Sequence, residues 1–521
     1  MTTVLITGGA PKVSAYRRVD GNYPFTKVVI VMRTFFHLAP GYAIVLTAYA
    51  ILVFAGISRH VPWFDEAQSW LMARDLTLSD LLFHQIRYEG TPGLWVSLLW
   101  MANAIHLPYP ALGILGGICA IAGMFVFLRF SPFPTPVKFL LPFSFFAAYQ
   151  YAVVARNYNL IPLLTFLGAH FYRQAKNNTY RFVVVLALLA NVSAHGTAIA
   201  IGIVIAYGWE VLGTWATFDA DTRRRHLLSA TIFCMTLVAI VAMVLPPSDC
   251  NSYAVGTKFT VAHAASIASS AISGALVGSE YVSVAITLLF AAWCLMRRRG
   301  APFILPVGLM LALFAGVWAR EWHYGTLLFA MVGGLWITWP TAIERSQFTK
   351  LLRASYVLIT CVLILTFCFQ LGWTRKTFLY ARTHAFSGSL DAAEYLKSVG
   401  ATRKRIFAKG FSTTAVLPYF QSNIFINEAR SDRTSFWHWS RVNDETQKAD
   451  LFLKVMPDFV IVGSKTEEAA ADRDEFLREA GYSLVHESIG EMYFKDRVQQ
   501  PDSYRIYAQN ASLANAPVPQ R

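Results

Sequence analysis

The sequence predicts an α-helical polytopic membrane protein of about eleven transmembrane helices, followed by an extracytoplasmic α/β domain at its C-terminal end. Three observations predict it. Of 521 residues, 55% are hydrophobic and 15% charged, with a mean hydropathy of +0.42, whereas a soluble domain carries about 25% charged residues. The apolar residues gather in repeated blocks of roughly membrane-spanning length. After residue 373 the texture changes to amphipathic runs such as Leu390–Val399, alternating with β-rich runs such as Phe459-Val460-Ile461-Val462. Collagen-like and disordered classes are excluded by the same numbers.

Taken in order, residues 1–40 form a cytoplasmic N-terminal segment, with scattered charges and none of the compact apolar core of a cleavable signal peptide. The membrane domain covers 41–372, with spans near 41–57, 111–129, 138–155, 158–172, 181–194, 196–213, 228–246, 281–296, 302–318, 323–340 and 353–372. The Trp- and Leu-rich stretch 91–106 reads as a helix lying at the outer interface, with Trp95 and Trp100 at headgroup level, or as one further short span. It belongs to a first outer loop, 58–110. The α/β domain occupies 373–509, and the small polar residues 510–521 form a disordered tail. There is no internal repeat.

The net charge of +14 is not a nucleic-acid patch. Before residue 373 there are 25 Lys and Arg against 13 Asp and Glu, and from 373 onward 20 against 18. The excess sits between apolar blocks, as at Arg223-Arg224-Arg225 and Arg297-Arg298-Arg299, where the positive-inside rule puts cytoplasmic loops. With the N-terminus cytoplasmic, 19 of the 25 lie inside and six outside: Arg59, Arg74, Arg87, Arg156, Lys258 and Arg320. An odd number of spans then leaves the C-terminal domain outside, on a multi-pass protein of the cell inner membrane or its equivalent. The six cysteines have neither metal-ligand nor paired spacing.

Outer acids are few, and five of them, Asp65, Glu66, Asp75, Asp80 and Glu89, lie in the first outer loop. Asp65 and Glu66 stand in Trp63-Phe64-Asp65-Glu66-Ala67-Gln68-Ser69-Trp70. Carboxylates at an apolar interface are costly unless used. The pair serves either as first-turn acids of an amphipathic surface helix or as a general base with a metal or sugar ligand. Later in the loop comes Arg87-Tyr88-Glu89-Gly90-Thr91-Pro92-Gly93-Leu94-Trp95, and at the next outer turn Ala155-Arg156-Asn157-Tyr158-Asn159-Leu160.

Together these motifs resemble the GT-C superfamily of membrane glycosyltransferases, in the branch of the lipid A aminoarabinose transferase and protein O-mannosyltransferases. The resemblance covers most of the chain and implies a sugar donor carried on polyprenyl phosphate, used outside the cytoplasm with inversion. It implies Asp65 as the base acting on the acceptor hydroxyl, Glu66 as its support and Glu89 as the candidate ligand of a divalent cation, with no other cofactor. The chain departs from the pattern at Arg156-Asn157, where many members place an acid.

A carrier phosphate must be held while the sugar–phosphate bond breaks, which Arg does by charge-assisted, often bidentate bonds. Arg156 and Arg320 are the first candidates, then Arg87, Arg74 and Lys258; each serves equally as a headgroup contact or an ion-pair partner. Tyr88, Asn157, Tyr158, His195, and His323 and Tyr324 of Arg320-Glu321-Trp322-His323-Tyr324-Gly325 are candidate substrate contacts. His84 is a turn residue of the same kind as His195. Phe436-Trp437-His438-Trp439 suits sugar stacking or domain docking. No phosphate-binding glycine loop, nucleotide fingerprint or Ser-His-Asp signature is present. The expected partners are the lipid-linked donor, a lipid, glycan or protein acceptor bearing a hydroxyl, and membrane lipids, without nucleic acid. The rival reading is a transporter or flippase of a lipid-linked saccharide; charges confined to the outer ends of the blocks argue against it.

Overall fold

The computed structural model describes residues 38–175, 178–251, 260–316, 320–427, 434–440, 451–452, 454–463 and 475–510. Counting helices of ten residues or more, its first half holds α1 (Pro40–Ile57), α2 (Phe64–Asp75), α3 (Leu94–Ala104), α4 (Ala111–Phe130), α5 (Leu160–Tyr172), α6 (Thr179–Ala190), α7 (Ala194–Thr214) and α8 (Ala220–Val244). There follow α9 (Val261–Ala275), α10 (Glu280–Met296), α11 (Ala301–Gly316), α12 (Tyr324–Thr338), α13 (Lys350–Tyr380) and α14 (Ser389–Ser398). Several starts are set by side-chain caps. Ser193, Asp219, Thr260 and Thr349 each accept the amide three residues on, satisfying an orphan donor of the first turn.

Among the described residues, five helices are long and apolar enough to cross a membrane: α1, α4, α7, α8 and α13; α9 with α10 makes a sixth if that bent pair is one span. These coincide with five of the eleven apolar blocks, and the block 281–296 is half of the bent pair. Four other blocks are helices of 12 to 16 residues. The block 138–155 is not one helix. Pro142, which lacks the amide a helix interior needs, divides it: a short helix Thr135–Leu140, with Pro136 in its first turn, gives way to a 3-10 turn Leu141–Phe143 and a wide turn Phe146–Gln150, and residues 145–155 run buried through the protein. The helix α9 was not among the expected spans, because its Ala and Ser content dilutes the hydropathy.

Helices approach closely where glycine removes a side chain. A Cβ on Gly202 of α7 would stand 2.5 Å from the Pro306 backbone of α11, and one on Gly334 of α12 would stand 2.8 Å from the backbone at Phe303. The helix α12 is buried along its whole length. Trp95 is buried against the protein, 2% exposed, so it packs in the core rather than in headgroups; Trp100 donates to Leu76 O at 3.2 Å.

The 31 residues of α13 make a rod of about 46 Å. Its end carries the C-terminal part, a four-stranded mixed sheet in the order β1-β2-β6-β3, where β1 is Ile406–Lys409, β2 Phe459–Gly463, β3 Tyr482–Ser488 and β6 Tyr504–Gln509. Only the β1–β2 pair is parallel. A separate hairpin, β4 (Glu491–Phe494) with β5 (Arg497–Pro501), reaches back onto the helical body, where Phe494 meets Phe145 at a ring distance of 5.0 Å.

Candidate active site

The helix α2 begins directly after α1 and a short connector, so its first turn lies at the domain-bearing end of the helical body. Glu66, the third residue of that turn, is fully buried. Its Oε2 accepts the Trp63 amide at 3.2 Å and lies 2.8 Å from His60 Nε2; its Oε1 accepts the Ala155 amide at 2.6 Å. Both oxygens are thus occupied, and they join the first outer motif to the second.

Asp65 turns the other way, with 27% of its side chain exposed, and pairs with the Arg156 guanidinium. Burial alone would lower the Arg156 pKa, but Asp65, Tyr158 and Glu66 together outweigh it and the net shift is upward. The guanidinium stands 5.8 Å from the Tyr158 ring, and burial pushes the Tyr158 phenol up to about 12. A narrow cleft opens here. Trp63, Arg156, Tyr158 and Trp322 form one side, while Phe386 and Tyr493 of the C-terminal part cover the other.

Beside it, His195, His323 and Tyr158 cluster, with ring centroids 4.8 to 5.6 Å apart. Both nitrogens of His195, Nδ1 of His323 and Oδ1 of Asn157 are buried without a hydrogen-bond partner. Asn157 donates Nδ2 to Val192 O at 3.0 Å.

Glu89 keeps a little exposed surface but is packed about by protein, and burial pushes its carboxyl up to about 7; the Gln68 amide opposes the shift and the charge of Asp65 adds to it. Gln68 donates to Glu89 Oε1 at 2.8 Å and to Trp437 O at 2.6 Å, and accepts the Trp437 amide at 2.9 Å. Among the described residues no group of three or more His, Cys, Asp and Glu is placed to hold a metal. A cation at Glu89 would find one oxygen already engaged by Gln68 and the nearby Asp65 paired with Arg156.

The structure therefore brings Asp65, Glu66, Glu89, Arg156, Asn157, Tyr158, His195 and His323 into one region. Arg74 does not face it with a free donor: it bonds Asp75 at 2.7 Å, Phe420 O at 2.9 Å and Ser435 Oγ at 2.8 Å, fastening the C-terminal part to α2. Arg87 donates to Leu245 O, and Tyr88 to Asp249 while its ring meets His438. Arg320 is exposed on the turn before His323, Tyr324 packs against Phe314, and Lys258 lies outside the described residues. Trp437 and Trp439 dock, against Phe411 and, for Trp439, Phe64. Sequence reasoning missed Gln68, Trp322 and the hairpin cover, and also Asp502, a buried acid whose carboxyl burial raises to about 6. The position of Gln68 inside the acidic loop motif was the one signal available.

No protein-family profile and no curated protein matches the chain. Among solved structures, the crystal structure of ArnT from Cupriavidus metallidurans bound to undecaprenyl phosphate superposes with a TM-score of 0.49 at 12% identity, covering 92% of this chain and 100% of that one.

Proposed function

We propose that this chain is an integral membrane glycosyltransferase that moves one sugar from a polyprenyl-phosphate donor to an acceptor hydroxyl on the extracytoplasmic side, by a single displacement with inversion. The observation that carries the reading is the Asp65–Arg156 pair at a covered cleft, rigidly placed by Glu66. A base and a phosphate receiver are the two groups such a transfer needs. A donor phosphate competes with Asp65 for the Arg156 guanidinium, so donor binding frees the carboxylate to take the acceptor proton. Base activation is thereby coupled to an occupied donor site.

In this scheme Glu66 is a positioning residue, since both its oxygens are used. Glu89 adds negative potential near Asp65 once ionised. Arg320, at the edge of the His323 turn, is a second contact for the carrier phosphate, and Tyr158, Asn157, His195 and His323 surround the sugar. Unpaired buried nitrogens and oxygens of this kind are suited to sugar hydroxyls, which donate and accept alike. No step is routed through a cation; transfer that survives chelator supports that, and transfer abolished by chelator and restored by a divalent ion overturns it.

The test is to incubate the purified protein in nanodiscs with radiolabelled polyprenyl-phosphate sugars, wild type beside Asp65→Asn, and to follow label leaving the lipid. Release from one donor by the wild type alone supports the reading. Donor cleavage that persists in Asp65→Asn removes Asp65 from its role, and no cleavage of any donor, with membrane extract as acceptor source, overturns the reading.

A further inference from the structure

The helices α9 and α10 meet at 85° across the break at residues 276–279. Such a break leaves the last carbonyls of α9 without intrahelical donors. At membrane depth irregular backbone is tolerated only where it is buried in protein or lines a watery cavity. The break here is packed against protein and borders a cavity. Gln370 of α13, fully buried, donates to Ala275 O at 3.0 Å and Leu276 O at 3.1 Å. Lys495, at the β4–β5 turn, donates to Gly274 O at 2.6 Å with its ammonium 4.3 Å from the Trp373 ring.

Beside these caps lies a cavity of about 300 Å3, lined by Ser270 and Ser273 of α9 and by Glu280, Glu321, Tyr324 and Trp373. That volume is at the low end for small-molecule sites, which run from about 300 to 1,000 Å3. Its cations are already engaged: Lys495 caps Gly274, and Arg497 is ion-paired with Glu321. What faces the space is therefore a set of hydroxyls and carboxylates, among them Asp496 and Glu280, the latter accepting Ser269 Oγ at 3.0 Å and Ser270 Oγ at 3.5 Å, together with aromatic surface. Hydroxyls and carboxylates satisfy a polyol, and aromatic faces pack on the CH groups of a sugar ring. Phe494 lines both this cavity and the cleft at Arg156, so the two spaces share a wall.

We infer that this cavity is the acceptor pocket and that it takes a neutral, polyhydroxylated glycan. The inference rests on the glycosyltransferase reading for the word acceptor, while the binding itself is measured without transfer.

The experiment is saturation-transfer NMR on the full chain in nanodiscs, with methyl glycosides of hexoses and pentoses as probes and glycerol phosphate as the anionic comparison. Saturation should reach the ring protons of at least one glycoside in the wild type and should be lost in Ser273→Trp, which fills the cavity. Glu280→Gln, at the exposed rim and keeping an acceptor for Ser269 and Ser270, should weaken the signal. Signal undiminished in both cavity variants, signal from glycerol phosphate alone, or no signal from any neutral glycoside overturns the inference. Failure of the glycosyltransferase reading would appear separately, as absent donor cleavage with glycoside binding intact.

Discussion

Glu66 Oε1 accepts the backbone amide of Ala155 at 2.6 Å, a bond between residues 89 positions apart that sets Arg156 opposite Asp65. A fully buried carboxylate with three N–H partners is expensive to disturb, because each hydrogen bond to a charged group contributes about 1.5–3 kcal/mol and an abandoned buried amide adds its own desolvation cost.

Glu66→Ala should therefore lower stability by about 2–5 kcal/mol, because the Trp63 and Ala155 amides are left buried without an acceptor at about 1–3 kcal/mol each. It should also cut donor cleavage, since the Arg156 turn loses its anchor. Glu66→Gln, which keeps one carbonyl acceptor, should fall between. Thermal unfolding in detergent checks the order; equal melting temperatures for the three proteins would remove the anchoring role.

Asp65→Asn should behave in the opposite way. The side chain is partly exposed and its loss opens no cavity, so melting should stay close to wild type. Transfer should drop by about 10²–10⁴, the usual contribution of a positioned general base. Donor affinity should hold or tighten, because Arg156 no longer has an internal carboxylate competing with the phosphate. Equilibrium binding of a labelled donor separates this from simple misfolding, and weakened binding would contradict the competition between Asp65 and phosphate.

The acids of this site were legible in the sequence because adjacent carboxylates beside large aromatics are conspicuous in an apolar chain, and Arg156 because outer cations are few. Their partners were not. Gln68 gains meaning only when Trp437, 369 positions on, comes to rest against it. Lys495 and Asp502 sit in ordinary polar sequence, and burial by docking is what makes them unusual. The spans were legible where an apolar block was long and continuous, as in α4 and α13. They were misread where composition and conformation part company: α9 is helical despite its serines, and 138–155 is apolar yet broken at Pro142.

Glu89 gives the cleft a pH dependence. Its carboxyl is pushed up to about 7, so it is largely neutral at pH 6 and largely ionised at pH 8. If the ionised form assists proton removal at Asp65, donor cleavage with acceptor present should rise through pH 7 and level off above it. Glu89→Gln should flatten the profile between pH 6 and 8. A break near pH 7 that survives in Glu89→Gln would assign it to another group.

Asp502 should make docking of the C-terminal part pH-dependent in a calculable direction. Its carboxyl is raised to about 6 by burial, against the opposing hydroxyls of Ser387 and Tyr504, and the charges of Asp65 and Glu66 raise it further. A raised folded-state value means that the folded form binds the proton more tightly than the unfolded one. The stabilisation is then complete below about pH 4, the ordinary aspartate range, and is lost as pH rises through about 6. The difference between those limits is on the order of 2–3 kcal/mol, at 1.36 kcal/mol per pKa unit. The backbone of Asp502 also holds the domain together, since its carbonyl accepts the Gly388 amide at 2.9 Å and its amide donates to Gly490 O at 2.8 Å, so the side chain can be changed without removing those bonds. Asp502→Asn, permanently neutral, should match the wild type below about pH 4 and exceed it in stability at pH 8. Thermal unfolding at the two pH values measures this directly, and an equal pH response in the two proteins would mean that the buried carboxyl does not govern docking.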